Sequence, residues 1–166
     1  MTPLQQLLVT LVGPNREGGV KDVGDGKGIT RWGQTPGWLA QYVLPVPRSA
    51  DEAIGNYEAW IAVVGLGDVL ASGDNLADIL LDIAVMSSAP KAIKALQVAL
   101  GIQVDGVYGG QTKAALEAAA SREVIAHLVI AWDMEYQGSI ITLNPQRAEY
   151  AKGWAARMAG HVRRLV

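Results

Sequence analysis

The chain has no cysteine, no phenylalanine and only two histidines in 166 residues. Without cysteine there is no disulfide and no thiolate chemistry, which fits folding in a reducing compartment. His127 and His161 belong to no closely spaced ligand motif, so no metal site is expected, and each reads as a surface or partly buried helical residue. Their scarcity also weakens any serine–histidine–aspartate scheme. Basic blocks are missing too. The net charge is −2 and the isoelectric point about 5.6, which argues against a nucleic-acid partner. Arg157, Arg163 and Arg164 read as the solvated last turn of a helix, favoured there by the helix dipole. No run approaches the roughly 20 apolar residues that span a bilayer, so stable membrane insertion is not expected. The early apolar run at 7–12 lacks a basic flank and a small-residue cleavage site, so no secretion signal is expected. Glycines alternate at 24–28, but no strand–loop–helix pattern and no Lys-Ser/Thr ending accompany them, so the match to a phosphate loop is weak. Nothing calls for a cofactor.

What is present is helical. Half the residues are hydrophobic, enough for one domain with a stable core. Thr2 before Pro3 is a helix start, and Leu4, Leu7, Leu8, Leu11 and Val12 follow the spacing of one buried face until Gly13-Pro14 breaks it. Ser49 with Glu52 reads as a capping box opening a helix with Ala53, Ile54, Tyr57, Trp60, Ile61 and Val64 inward. Asp74 caps a segment that is apolar almost all round from 79 to 86, the expected central helix. Pro90 opens another helix, which Gly101 ends. Further helices are expected from about 112, from Ser121 and from Asn144-Pro145. The expected fold is mainly α with one small β-hairpin near residues 20–34.

The stretch 16–34, REGGVKDVGDGKGITRWGQ, has six glycines in nineteen residues. Each glycine costs a helix about 1 kcal/mol relative to alanine, so the stretch reads as a turn or hairpin. It gathers Glu17, Asp22, Asp25 and Thr30 within fourteen residues, just past a helix end. Two carboxyl groups facing across a cleft are the apparatus of glycosidic cleavage. On spacing alone, a helix-end glutamate and turn-forming aspartates read the same way.

The wider pattern adds a resemblance. Glu17-Gly18-Gly19, Asp25-Gly26 and Gly28-Ile29-Thr30 resemble the signature of the glycoside hydrolase family 108 muramidases, which are phage endolysins and related bacterial enzymes. Asp82-Ile83-Ala84-Val85, the segment 92–101 and the segment 104–112 look like that family's peptidoglycan-binding helical region. Gly153-Trp154 with Arg157 resembles its closing segment. The hairpin here is several residues shorter than the family's, so Asp22 stays open beside Asp25.

The resemblance implies a lysozyme-like helical domain over 1–166, with the catalytic helix, hairpin and flanking helix in 1–75 and the central helix and peptidoglycan-binding region in 76–166. It implies hydrolysis of the β-1,4 bond between N-acetylmuramic acid and N-acetylglucosamine, with Glu17 as general acid. Asp25 would stabilise charge at the sugar or activate water, and Thr30 would position that water or orient Asp25. A lytic transglycosylase cutting the same bond, and a non-catalytic wall-binding or virion protein, are the alternatives. Trp32, Gln34 and Tyr108 are candidates to line a sugar groove. Gln97, Asp105 and Thr112 match the binding-region motif, although Asp105-Gly106 also makes a turn and Thr112 a helix cap. The expected partner is the peptidoglycan glycan strand, met by a monomer. Synthesis in a host cytoplasm and release to the wall through a holin-type lesion would suit a phage lysin.

Overall fold

The computed structural model describes residues 1–22 and 28–166. Asp25 lies outside the described residues. The fold is mainly helical with one two-stranded antiparallel sheet, and it divides into two compact units, Met1–Gly73 and Asp74–Val166.

In the first unit, α1 (Pro3–Leu11) starts with the signals its sequence carries. Thr2 Oγ1 accepts from the Gln5 amide at 3.2 Å, and Gln5 Oε1 accepts from the Thr2 amide at 3.0 Å. Leu7, Leu8, Leu11 and Val12 are buried, while Leu4 is only half so. Strands β1 (Val20–Asp22) and β2 (Ile29–Arg31) form the small sheet in the register Val20↔Arg31, Lys21↔Thr30, Asp22↔Ile29. Helix α2 (Pro36–Gln41) is capped by Thr35, and α3 (Ala50–Val64) by Ser49. The expected capping box at α3 is only half made. Glu52 turns its carboxylate to the amide and guanidinium of Arg48, at 2.7 and 3.0 Å, because that pairing satisfies charge as well as the backbone donor. Gly65, in the left-handed region at φ 74°, ends α3, and α4 (Gly67–Leu70) buries Val69 and Leu70. Trp38, Tyr42, Tyr57 and Trp60 form one aromatic cluster with centroids 5.5–6.3 Å apart.

The second unit is built around α5 (Asn75–Met86), which packs against α6 (Ala89–Ala99), α8 (Arg122–Leu143) and α9 (Ala151–Leu165); α7 (Gly110–Ala118) completes it. Asp74 caps α5 through the Ala77 amide at 2.9 Å. Residues 76–84 are buried without interruption, so the central helix is where its composition puts it. Asn144-Pro145 does not start an α-helix directly. The Asn144 side chain makes no cap, and the chain first winds a 3-10 turn at Pro145–Tyr150. No described helix is long and apolar enough to cross a membrane.

Candidate functional site

Glu17 is fixed by the way α1 stops. Past Leu11 the chain folds back on itself, and the Glu17 amide donates to the Leu11 carbonyl at 3.0 Å while that of Arg16 donates to Gly13 at 3.1 Å. The reversal is so tight that a Cβ on Gly18 would come 2.6 Å from the Gly13 carbonyl oxygen and 2.7 Å from Pro14 Cα. Glycine at 18 is therefore a packing requirement of the turn that presents the glutamate, which is half-buried.

A second turn meets Glu17. Arg31 and Gln34 exchange backbone hydrogen bonds at 3.1 and 2.9 Å around a two-residue loop. Trp32 and Gly33 both take positive φ, 48° and 80°, the pattern of a primed hairpin turn. A Cβ on Gly33 would lie 3.0 Å from Cβ and Cγ of Glu17 and 2.7 Å from the Tyr57 hydroxyl, so the glutamate stem packs directly on this glycine. Left-handed backbone costs a bulky residue such as Trp32 about 1–2 kcal/mol. Two bonds hold it there: its amide donates to the Gly19 carbonyl at 2.8 Å, and its carbonyl accepts from the Tyr57 hydroxyl at 2.9 Å. The indole is half-exposed beside the turn.

The sheet register separates two other candidates. Side chains alternate across a strand, and directly paired residues share a face. Thr30 pairs with Lys21 and is half-buried; Asp22 pairs with Ile29 on the opposite face and is exposed. Gln34 does not line a groove. It is 1% exposed, donates to the Ala53 carbonyl at 2.8 Å and accepts from Asn56 at 2.8 Å, so its amide ties the turn to α3.

In the second unit, Gln97 acts from inside. It is 1% exposed. Its Oε1 accepts from the amides of Asp105 and Gly106 at 3.0 and 2.8 Å, and its Nε2 donates to Asp105 Oδ1, the Val107 carbonyl and Thr112 Oγ1 at 2.7, 3.1 and 3.1 Å. With the amide saturated, a glycan would reach it only by opening the loop. Asp105 faces solvent, and the Gln97 side chain and the Val107 amide hold its carboxyl below the usual range. Thr112 is buried and caps nothing; Gly109 is the N-cap of α7. Tyr108, next to this braced loop, keeps part of its side chain at the surface.

The C-terminal arginines are a solvated last turn only in part: Arg163 and Arg164 are exposed there, but Arg157 lies earlier in α9, and Arg157 and Arg164 both reach buried acids. Asp82 is completely buried, and its carboxylate accepts from Arg157 Nη1 at 2.9 Å and lies 2.9 Å from His161 Nε2. Arg164 donates to Asp78 at 2.8 Å; Arg163 alone of the three is exposed without a buried partner. The signal was a pair of matching stripes. Asp78 and Asp82 are four apart, Arg157, His161 and Arg164 four and three apart, and each set falls on one helix face. Asp133 is buried nearby, and desolvation, reinforced by the charge of Asp82, pushes its carboxyl up. Among the described residues no cluster of three acidic or histidine side chains is disposed to hold a metal ion.

Residues 91–159 match the model of a family described as a predicted peptidoglycan domain. Among solved structures, SagA of Brucella abortus superimposes with a TM-score of 0.72 over 96% of this chain and 89% of its own, at 23% identity, a likeness of fold. No curated protein matches the sequence. The second unit thus carries a peptidoglycan-related helical segment that includes Gln97, Asp105 and Tyr108 as well as Arg157.

Proposed function

We propose that this protein is a peptidoglycan-cleaving glycosidase in which Glu17 protonates the leaving oxygen of the β-1,4 bond between N-acetylmuramic acid and N-acetylglucosamine. The setting of Glu17 carries this reading: a half-buried carboxylic acid fixed by its own amide to the end of α1, its stem packed against Gly33 in a turn whose other central residue is the strained, half-exposed Trp32. General acids need this kind of fixed geometry, and backbone strain that surrounding bonds maintain clusters at functional sites. The peptidoglycan segment at 91–159 supports the substrate class.

Within this reading Asp25 is the second carboxylate, as the resemblance implies; the placement of Asp22 and Thr30 on opposite faces of the ribbon supports Asp25 over Asp22 as the partner of Thr30. Thr30 positions that water, and Trp32 offers its ring to a sugar face. The protein works as a monomer on glycan strands and reaches the wall through a lesion of the holin type.

Glu17→Gln should retain binding to purified walls and lose about 10²–10⁴-fold in clearing rate. Clearing at the parental rate would exclude the acid role and leave a wall-binding protein. Mass spectrometry of the digest decides the reaction. Reducing muramic ends are expected, whereas anhydro-muramic ends would make the enzyme a lytic transglycosylase.

A further inference from the structure

The second unit contains a cavity of about 360 Å³ that the reading above does not use. Lys91, Arg147, Tyr136, Gln137 and Trp154 are among its walls, and all five fall inside the segment 91–159. Two of its walls are cationic and none is acidic. Neither Lys91 nor Arg147 makes an ion pair among the described residues. The Lys91 ammonium hydrogen-bonds the Tyr136 hydroxyl and lies 4.4 Å from that ring's centroid. Lys91 also sits in the first turn of α6, where the helix dipole disfavours a cation, so local helix electrostatics do not account for it. The aromatic walls are braced from behind: Tyr136 stacks on Trp132 with centroids 5.4 Å apart and an interplanar angle of 2°, and Trp154 stacks on Tyr150 at 6.0 Å. Gln137 is held against the buried Asp133 at a long 3.5 Å.

Two cations with no ion pair among the described residues, one of them over a tyrosine ring, in a space at the small end of ligand pockets, fit a compact anion with an apolar or ring-shaped body. We infer that this cavity binds a carboxylate-bearing muropeptide. The free carboxylates of the peptide stem meet Lys91 and Arg147, and the adjoining sugar or aliphatic part rests on Trp154 and Tyr136. The inference rests on the peptidoglycan reading and adds to it a second, non-catalytic contact that recognises the peptide rather than the glycan.

The test uses the full chain carrying Glu17→Gln, so that ligand is not consumed, and titrates it calorimetrically with disaccharide-tetrapeptide. The neutral controls are a chitin oligosaccharide and the same muropeptide with its carboxylates amidated. Saturable binding of the free acid is expected, with much weaker binding of both controls. Arg147→Gln changes an exposed side chain on the 3-10 turn and should preserve the fold; it should weaken binding about ten-fold or more, as loss of a charge-assisted hydrogen bond does. Lys91→Met should do the same. Equal binding of the amidated muropeptide, or parental affinity in both variants, overturns the inference. Wall clearing by the parent chain is read in parallel. If the parent clears walls but pocket variants bind as it does, the cavity inference fails and the glycosidase reading stands. If the parent neither clears walls nor binds muropeptide, both fall.

Discussion

Replacing Arg157 by methionine tests the buried ion network most directly. Asp82 has no exposed side-chain surface and shares its carboxylate between Arg157 and His161, each at 2.9 Å. Taking one partner from a fully buried pair costs about 3–5 kcal/mol, because the remaining charge is left without compensation in a poorly polarisable interior. Two observations place the expected loss at the low end. The arginine side is 24% exposed, so part of its charge is already hydrated, and His161 keeps its contact with Asp82. The result should be about 3 kcal/mol. For a chain of this length each kcal/mol moves the melting temperature by about 2–4 °C, so a fall of about 6–12 °C is expected. Urea unfolding followed by circular dichroism and tryptophan fluorescence would measure it. The double variant Arg157→Met, Asp82→Asn removes the stranded charge, keeps an acceptor for His161, and should recover most of the loss. A single variant within 1 kcal/mol of the parent, or a double no better than the single, would refute the reasoning.

Gly33→Ala forces a side chain into a left-handed residue and against the Tyr57 hydroxyl and the Glu17 stem, so a loss of about 2 kcal/mol is expected together with slower wall clearing; Gly37→Ala, which meets open space within α2, should leave clearing unchanged and raise stability by up to about 1 kcal/mol. Asp133→Asn probes pH dependence. Its carboxyl is raised in the fold, so the folded state holds the proton more tightly, and stability is full below the unfolded pKa and is lost as pH rises through the folded one. The asparagine variant should therefore match the parent near pH 3 and exceed it at pH 7, and an equal loss at both would contradict the assignment. Gln97→Ala strands the buried Gly106 amide and should cost about 1–3 kcal/mol, with faster hydrogen exchange concentrated at 104–112.

Much of the architecture could be read in advance because local chemistry and tertiary packing agree. Thr2-Pro3, Asp74 and Ser121 are caps in sequence and in structure, and the apolar run at 79–84 is the buried centre. Sequence reasoning fell short where a polar residue is used across a long separation. Gln97, Gln34 and Asn56 look like surface amides until the carbonyls and amides they bind are known, and those lie eight to twenty-two residues away. The apolar reading of 79–86 likewise hid Asp82, whose burial is tolerable only because Arg157 and His161 arrive from α9. Of the candidate site, the turn that presents Glu17 was visible as glycine. Its reason was not, since contact between Gly33 and Glu17 depends on Trp32 taking a conformation that propensity would never assign to tryptophan.

The ion network also constrains the order in which this chain can fold during synthesis. Asp78 and Asp82 leave the ribosome 75 to 86 residues ahead of the arginines and histidine that bind them. Until Arg157 and His161 emerge, α5 has its leucines and isoleucines ready, but the buried Asp82 lacks the two partners that share its carboxylate. The second unit is therefore expected to condense late and in one step, with α9 acting as the latch. A ribosome stalled before residue 157 should hold a nascent chain whose second unit is still open to protease, while Met1–Gly73, which needs none of those charges, is free to have folded already.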